Sequence, residues 1–334
     1  MRQSGERVRD LYSKLVGTSA GSSPAERVAA VIVHFRTPDE TERAAVAVAA
    51  DAPGAEIVVV DNASGDGIAR RLAERVPSAR VLEERVNRGY GSACNRGARE
   101  TRRPLLLFLN SDAYVLPGSV EALVRALDAD EGAAAAGPRL LETDGSLQPS
   151  IRRLPSPWRI FCESSGIAFL AGGREPFAGH TQNRADHGRA QAVEALMGAA
   201  LMVRRAAFDA AGGFDEGFFL YAEETDLMAR WRRAGWRLLY VPQAAVVHEG
   251  GRSGGDRLFG RLHESLARYV SKHHGAAAGA FARVVLAAGA AVRYAAALLT
   301  PGESGRTRRA RYRSALSGAP LPDARPGGST GRSE

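Results

Sequence analysis

From Val28 to Ala129 this chain alternates short apolar runs with helical patterns, and that alternation most constrains what it can fold into. Val28 to Val33 is a β-branched and apolar run of strand length. Ile57 to Val60, Arg80 to Leu82 and the wholly apolar Leu105 to Leu109 follow as further strands. Helix patterns at Pro38 to Ala50, Asp66 to Arg75 and Gly91 to Thr101 separate them, and another runs from Ser119 to Ala129. Thr37 stands at the N-cap of the first helix, and Pro38 falls in its first turn, where a missing N–H is harmless. Strands separated by helices of this length imply βαβ units. The chain is therefore expected to be an α/β protein with a Rossmann-like, mostly parallel central sheet.

The rest of the chain divides by composition. Residues 1–26, with Gly, Ser and Pro around Gly21 to Pro24, read as a disordered lead. The α/β domain is expected over 27–255. Within it, Arg139 to Glu194 looks irregular, with Pro149, Pro155, Pro157 and a Gly/Arg-rich stretch after Leu170. Regular structure returns at Leu196 to Val203. A helix over Glu223 to Ala234 is closed by Gly235. Strands follow at Leu238 to Val241 and Ala245 to Val247, then a glycine-rich loop, Gly250 to Gly255. Residues 256–300 carry two C-terminal helices, Leu258 to His273 and Phe281 to Leu299. Residues 301–334 read as a disordered basic tail.

Composition narrows the partners. The 334 residues are 45% hydrophobic and 25% charged, ordinary for a globular protein. The two cysteines, Cys94 and Cys162, sit in no CxxC or Cys/His cluster, which argues against a structural zinc and for buried thiols in a reducing cytosol. The net charge of +8 comes almost wholly from arginine, with a cluster at Arg306, Arg308, Arg309, Arg311 and Arg313. A cluster in a tail, without interleaved aromatics, is not a nucleic-acid-reading surface, so no nucleic acid is expected. The polar N-terminus has no signal-peptide core. Ala276 to Leu299 is apolar but interrupted by Arg283 and Arg293. It reads either as a helix packed on the domain or as one resting on a membrane surface.

Ligands of parallel α/β sheets bind beyond the carboxyl ends of the strands. Asp61 and Asn62 end one strand there, and Asn110, Ser111 and Asp112 end another. A carboxylate so placed can accept from a base or ribose, or hold a divalent cation, and the same residues are also common in turns. Gly89-Tyr90-Gly91-Ser92-Ala93-Cys94 imitates a dinucleotide fingerprint but lacks its third glycine. Glu223, Glu224 and Asp226 open a helix whose dipole favours their ionised forms. Glu223 and Asp226 share a face, with Glu224 about 100° round the axis. Such a carboxylate can take a proton from a sugar hydroxyl. His248 ends an apolar strand beside the glycine-rich loop, as a metal ligand or a structural residue.

These features come in a definite order, and in that order the chain resembles the inverting glycosyltransferases of family 2, in particular their bacterial rhamnosyltransferase-like branch. The matching stretches are VVVDNASGDG at 58–67, NRGYGSACNRG at 87–97, LLLFLNSDAYVLPGSVEAL at 105–123, LQPSIRRLPSP at 147–157, and GGFDEGFFLYAEETDLMARWRRAGWRLLYVPQAAVVHEGG at 212–251. The resemblance spans roughly residues 27–275 and implies a GT-A fold that binds a nucleoside diphosphate sugar.

The resemblance also implies roles. Asp61, with Asn62 and the backbone near His34 and Arg36, would contact the nucleobase. Asn87, Gly89 and Asn95 would shape the wall beside the ribose and diphosphate. Ser111 and Asp112 close a DXD-type motif that here reads Asn-Ser-Asp. Asp112, completed by His248, would bind Mg2+ or Mn2+, and Arg252 would lie near phosphate. Glu224 takes the catalytic base position of a pair that reads Glu-Glu where the family has Glu-Asp, which leaves Glu223 a competitor. Met197, Gly198 and Asp226 would line the acceptor side. The expected donor is dTDP-rhamnose or a UDP-hexose. The expected acceptor is a cell-surface glycan or lipid-linked sugar, reached from the cytoplasm, with peripheral contact to an anionic membrane. The alternative is a non-catalytic nucleotide-sugar or glycan-binding protein of the same fold.

Overall fold

In the computed structural model, which describes residues 24–181, 184–250 and 258–317, the apolar runs of the N-terminal half are strands. β1 (Val28–His34), β2 (Glu56–Asp61), β3 (Ala79–Glu83) and β4 (Leu105–Asn110) alternate with α1 (Pro38–Asp51), α2 (Ile68–Arg75) and α3 (Tyr90–Arg99). They pair in parallel in the order β3-β2-β1-β4. Side chains alternate between faces along each strand. Ala30, Ile32, Leu105 and Leu107 therefore pack with Ala44, Val48 and Leu72 of α1 and α2. Ala29, Val31, Leu106 and Phe108 pack with Ala93, Cys94 and Ala98 of α3 on the other face. Gly97 lets α3 lie close: a Cβ there would stand 2.5 Å from a Val31 methyl. Cys94 and Cys162 are both buried and unpaired.

The sheet continues as a mixed one. After β5 (Ala113–Val115) and α4 (Ser119–Ala129) come β6 (Ala133–Leu141), β7 (Leu147–Gln148) and β8 (Ile151–Arg152). Then follow α5 (Pro157–Ser165), α6 (Ile167–Leu170), β9 (Gln191–Val193), β10 (Ala195–Leu196), β11 (Ala200–Arg204) and α7 (Arg205–Ala210). α8 (Glu223–Arg233) and β12 (Arg237–His248) complete the domain. β11 lies antiparallel between β4 and β6, β6 runs parallel to β12, and β5 closes the far edge.

Several expectations need correction. The stretch from Arg139 to Glu194 is not all irregular: it holds the end of β6, then β7, β8, α5, α6 and β9. β6 begins with four alanines, which carry little strand signal. Its pairing with β11 and β12 decides its conformation. Leu196 to Val203 is split between two sheets, since β10 pairs with β8 and β11 with β4. The strands at Leu238 to Val241 and Ala245 to Val247 are one strand, irregular between Val241 and Ala245, where Pro242 lacks a ladder donor.

Two long helices, α9 (Phe259–His274) and α10 (Ala276–Leu298), pack on each other, and α10 also packs on α5. α10 buries Gly279, Ala282, Leu286, Gly289 and Ala290 at helical spacing and leaves Phe281, Val284 and Val292 exposed. By length and composition alone it could cross a membrane, yet one face belongs to the fold. Residues 302–317, expected in the tail, form α11 (Gly302–Ser317) against α9 and α10. Arginine and alanine are good helix formers, and packing supplies what the polar composition hides. Residues 1–23 of the expected lead, residues 251–255 with Arg252, and residues 318–334 of the expected tail lie outside the described residues.

Asp226 joins α8 to α9. It is fully buried, and its carboxylate accepts from Arg230 (2.8 Å), Lys272 (2.7 Å) and His273 (2.7 Å). Burial opposes its ionisation, but the His273 and Lys272 hydrogen bonds and the Arg230 charge together hold it down, to about 2. A depressed carboxylate contributes stability above its ordinary pKa and loses it as pH falls through the folded value. Asp226→Asn should lower unfolding free energy by about 3 kcal/mol at neutral pH, as expected for breaking a buried ion pair. In urea titrations that difference should shrink as pH falls from about 4 toward 2.

Candidate active site

The carboxyl ends of β1, β2 and β4 open into a cleft of about 950 Å³ that α8, α9 and α11 also border. At the end of β4, Ser111 and Asp112 are buried. Thr37 does not cap α1 with its side chain; its hydroxyl donates to Ser111 Oγ at 3.0 Å and so holds this turn. β12 pairs His248 with Ala113 of β5, which brings the ring beside Asp112, Nε2 to Oδ1 at 3.5 Å. The His248 tautomer follows from its neighbours. The Gln148 amide nitrogen donates to Glu142 Oε1 (2.9 Å) and His248 O (3.3 Å), so its carbonyl oxygen faces His248 Nδ1 at 2.8 Å. An oxygen can only accept, so Nδ1 carries the proton and the Nε2 lone pair turns toward Asn110 (3.4 Å) and Asp112.

The donor-side wall rests on amide contacts. Asn62 Nδ2 donates to Asn87 Oδ1 (2.8 Å) and Gly89 O (3.2 Å), and Asn87 Oδ1 also accepts the Gly89 N–H (2.9 Å). Gly89 has φ +94°, and a Cβ there would stand 2.1 Å from the Phe219 carbonyl oxygen. Tyr90 N–H donates to that same oxygen at 2.9 Å. The segment entering α8 is thus pressed onto the start of α3.

Two consecutive non-glycine residues, Tyr221 (φ 68°) and Ala222 (φ 63°), then turn the chain left-handed into α8. Such geometry costs about 1–3 kcal/mol per residue and survives where surrounding contacts impose it. The turn delivers Glu223 and Glu224 to the cleft. Gly198 makes room for Glu224, whose Cγ would be 2.8 Å from a Cβ at that position. Glu223 is buried, and its Oε2 has no hydrogen-bond partner. The helix dipole was expected to favour ionised acids, but burial wins. Desolvation and then the Glu224 charge push Glu223 well up, and desolvation raises Glu224 too. Both carboxyls therefore hold their protons more tightly than an exposed acid does.

The predicted residues therefore separate. Asn62, Asn87, Gly89, Ser111, Asp112, Met197, Gly198, Glu223, Glu224 and His248 line the cleft. The other five do not line it. His34 is buried between Thr41 (2.8 Å) and Asp66 (3.0 Å), and Asp61 accepts the Ser64 N–H (2.8 Å). Arg36 is exposed, with its N–H on Ser64 Oγ, while Val33 and Phe35 reach the cleft from the same segment. Asn95 clamps the 214–216 loop through Phe214 N, Phe214 O and Glu216. Asp226, expected to share a face with Glu223, points into its ion cluster. The end of α8 abuts the cleft, so Glu223, Glu224 and Thr225 line it while Asp226 faces α9. Sequence reasoning missed Arg152, Arg153, His180, Thr181 and Tyr221 as lining residues. The only signal for the first two was the stretch at 147–157.

The chain belongs to glycosyl transferase family 2, whose family model matches residues 30–208. It is a glycosyltransferase, and its relatives are enzymes of glycan biosynthesis. It is 34% identical over 233 residues to the N-acetylglucosaminyl-diphospho-decaprenol L-rhamnosyltransferase of Mycobacterium tuberculosis, covering 65% of this chain and 71% of that protein. It is 25% identical over 197 residues to the low-salt glycan biosynthesis hexosyltransferase Agl10 of Haloferax volcanii, covering 58% of this chain and 57% of that one. The mannosyltransferase PcManGT of Pyrobaculum calidifontis, solved with GDP-Man and Mn2+, superposes with a TM-score of 0.54 at 18% identity over 93% of each chain. GalNAc-T7, solved with UDP, GalNAc and Mn2+, superposes with a TM-score of 0.54 at 15% identity, over 86% of this chain and 54% of that one. The fold is GT-A, as expected.

A raised carboxyl pKa costs the folded state increasing stability as pH climbs from the ordinary value of 4.5 toward the folded one. Glu223→Gln removes that cost. It should raise the melting temperature at pH 8, with the gain fading to nothing below about pH 4.5.

Proposed function

We propose that this protein is an inverting, metal-assisted glycosyltransferase. It moves a sugar from a nucleoside diphosphate sugar, dTDP-rhamnose or a UDP-hexose, to a hydroxyl of a cell-surface glycan or lipid-linked acceptor. The observation that carries the reading is one cleft lined by both the Asp112–His248 pair and the adjacent acids Glu223 and Glu224.

The donor end fits a divalent cation. His248 turns Nε2 toward the buried Asp112 carboxylate, with Gln148 accepting from Nδ1 as an outer partner does for a ligating His. Among the described residues no group of three or more His, Cys, Asp or Glu comes together. The chain would thus supply two ligands, and the donor diphosphate and water the rest, as suits Mg2+ or Mn2+. When bound, the cation offsets the charge that grows on the leaving diphosphate. Asn62, Asn87 and the Gly89 backbone hold the neighbouring wall rigid for the nucleotide.

Glu224 is the base. It lies against Gly198 in the cleft, and burial raises its basicity above that of an exposed acid, which suits a general base. It takes the acceptor proton as the hydroxyl attacks the anomeric carbon opposite the diphosphate. One base and one cation suffice for inversion, whereas a hydrolase needs a second acid at its leaving group.

A lipid-linked acceptor accords with the relative named for an N-acetylglucosaminyl-diphospho-decaprenol and with the exposed apolar residues of α6, α10 and the turn after it. Phe169, Leu170, Val284, Val292 and Leu299 are all well exposed. Arginines of α11 stand nearby in the chain to meet anionic headgroups on the inner face of a membrane.

Glu224→Gln and Asp112→Ala should each lower kcat at least about a thousandfold. A nucleotide-sugar panel read by thermal shift with Mn2+ separates their roles: the shift persists in Glu224→Gln and vanishes in Asp112→Ala. Near-full activity in Glu224→Gln would overturn the base assignment, and donor binding without turnover in the unaltered protein would favour a binding protein. Flotation tests the surface: the protein should rise with anionic and not neutral liposomes, and Leu170→Asp combined with Val284→Asp should abolish it.

A further inference from the structure

The wall that carries β8 is crowded with paired charges. Arg153 pairs with Glu175, Arg159 with Glu194 (2.5 Å), and His180 with Glu163 (2.8 Å). Arg152 is the exception. It lines the cleft and is half-buried, yet it makes no hydrogen bond or ion pair with any described residue. Burial pulls its guanidinium below its ordinary range, and the more distant charges of Glu163 and Glu224 only partly offset this. A cation taken out of water and left unpaired needs an anion.

The position of Arg152 says which substrate brings the anion. β8 pairs only with β10, Arg152 opposite Ala195, and β10 runs directly into Met197 and Gly198, against Glu224. That register sets Arg152 on the side of Glu224, whereas Asp112 and His248 stand at the ends of β4 and β12. The adjoining surface is apolar. Leu154 packs into the cluster that contains Leu262 and Leu266, and both of these line the cleft from α9.

We propose that Arg152 receives a phosphate group carried by the acceptor, and that the Leu262 and Leu266 wall takes the apolar chain attached to that phosphate. This rests on the glycosyltransferase reading with a lipid-linked acceptor and deepens it by naming the side chains that would hold the acceptor's phosphate and chain. A guanidinium binds phosphate through paired N–H donors, which a point charge does not reproduce. Arg152 thereby fixes how far the acceptor hydroxyl enters toward Glu224.

Binding is measured by isothermal titration on the full chain in EDTA, with farnesyl diphosphate, farnesol and inorganic pyrophosphate as probes. Farnesyl diphosphate should bind more tightly than either of its parts. Arg152→Gln should weaken it at least tenfold, and Arg152→Lys by less. Leu262→Ser should weaken farnesyl diphosphate but leave pyrophosphate alone. Because Arg152 is unpaired, the melting temperature of Arg152→Gln should hold or rise, whereas a structural arginine would lower it. Saturating UDP or dTDP with Mn2+ should leave farnesyl diphosphate bound. Equal affinity in the wild type and Arg152→Gln, displacement by the nucleotide, or a failure of the wild type to bind farnesyl diphosphate overturns the proposal. If Arg152-dependent binding is found but no sugar is transferred from any donor, the function reading falls and the lipid-phosphate site stands.

Discussion

The active cleft depends on one close approach of backbone to backbone, that of Gly89 and Tyr90 to the Phe219 carbonyl. A side chain at residue 89 would occupy the position of that oxygen, and the Tyr90 N–H is its partner. Asn95, one turn further along α3, grips both backbone groups of Phe214. These contacts press the 213–222 segment onto the first helix turn after β3, and the left-handed Tyr221 and Ala222 follow from the direction in which the chain must leave. The acid pair is therefore aimed by an element more than a hundred residues earlier in the sequence, and the strain of that turn is sustained by contacts remote from the carboxylates.

Burial sets the electrostatics of the pair more than helix position does. A helix N-terminus favours negative charge by a fraction of a kcal/mol up to about 2 kcal/mol. Two carboxyls taken out of water side by side oppose it more strongly, so the pair retains a proton. Asp226, three residues on and equally buried, goes the other way because it meets Arg230, Lys272 and His273. Within one turn and a half, the same helix holds an acid made basic by want of partners and an acid made permanent by abundance of them.

The difference between what was legible and what was not has physical causes. The strands and helices of the parallel half were readable because their apolar periodicity is local, as with the helix over Ser119 to Ala129. β6 was not, since four alanines acquire strand geometry only through their neighbours. Asp112, Glu223 and Glu224 stood out as acids at element ends. The clamp of Asn95 on Phe214 and the turning-away of Asp226 depend on partners far off in the chain. α11 was hidden because its arginines resemble those of a disordered tail, while its order comes from packing on α9 and α10.

The same reasoning explains why Arg152 escaped notice. An arginine among arginines has no local mark, and its meaning lies in lacking a partner where Arg153 and Arg159 have theirs. The end of the cleft at Asp112 is built from the ends of the large sheet, where Ser111, Asn62 and Asn87 are tied by hydrogen bonds. The opposite end is built from a two-stranded ribbon, a strained turn and C-terminal helices, and it keeps an unpaired cation beside leucines. A preorganised polar wall suits a ligand common to many enzymes of a fold, while an unsatisfied charge against an apolar wall discriminates for a partner that satisfies both. In the proposed reading the two ends divide the work: the sheet would hold the donor, and the appended elements would select the acceptor.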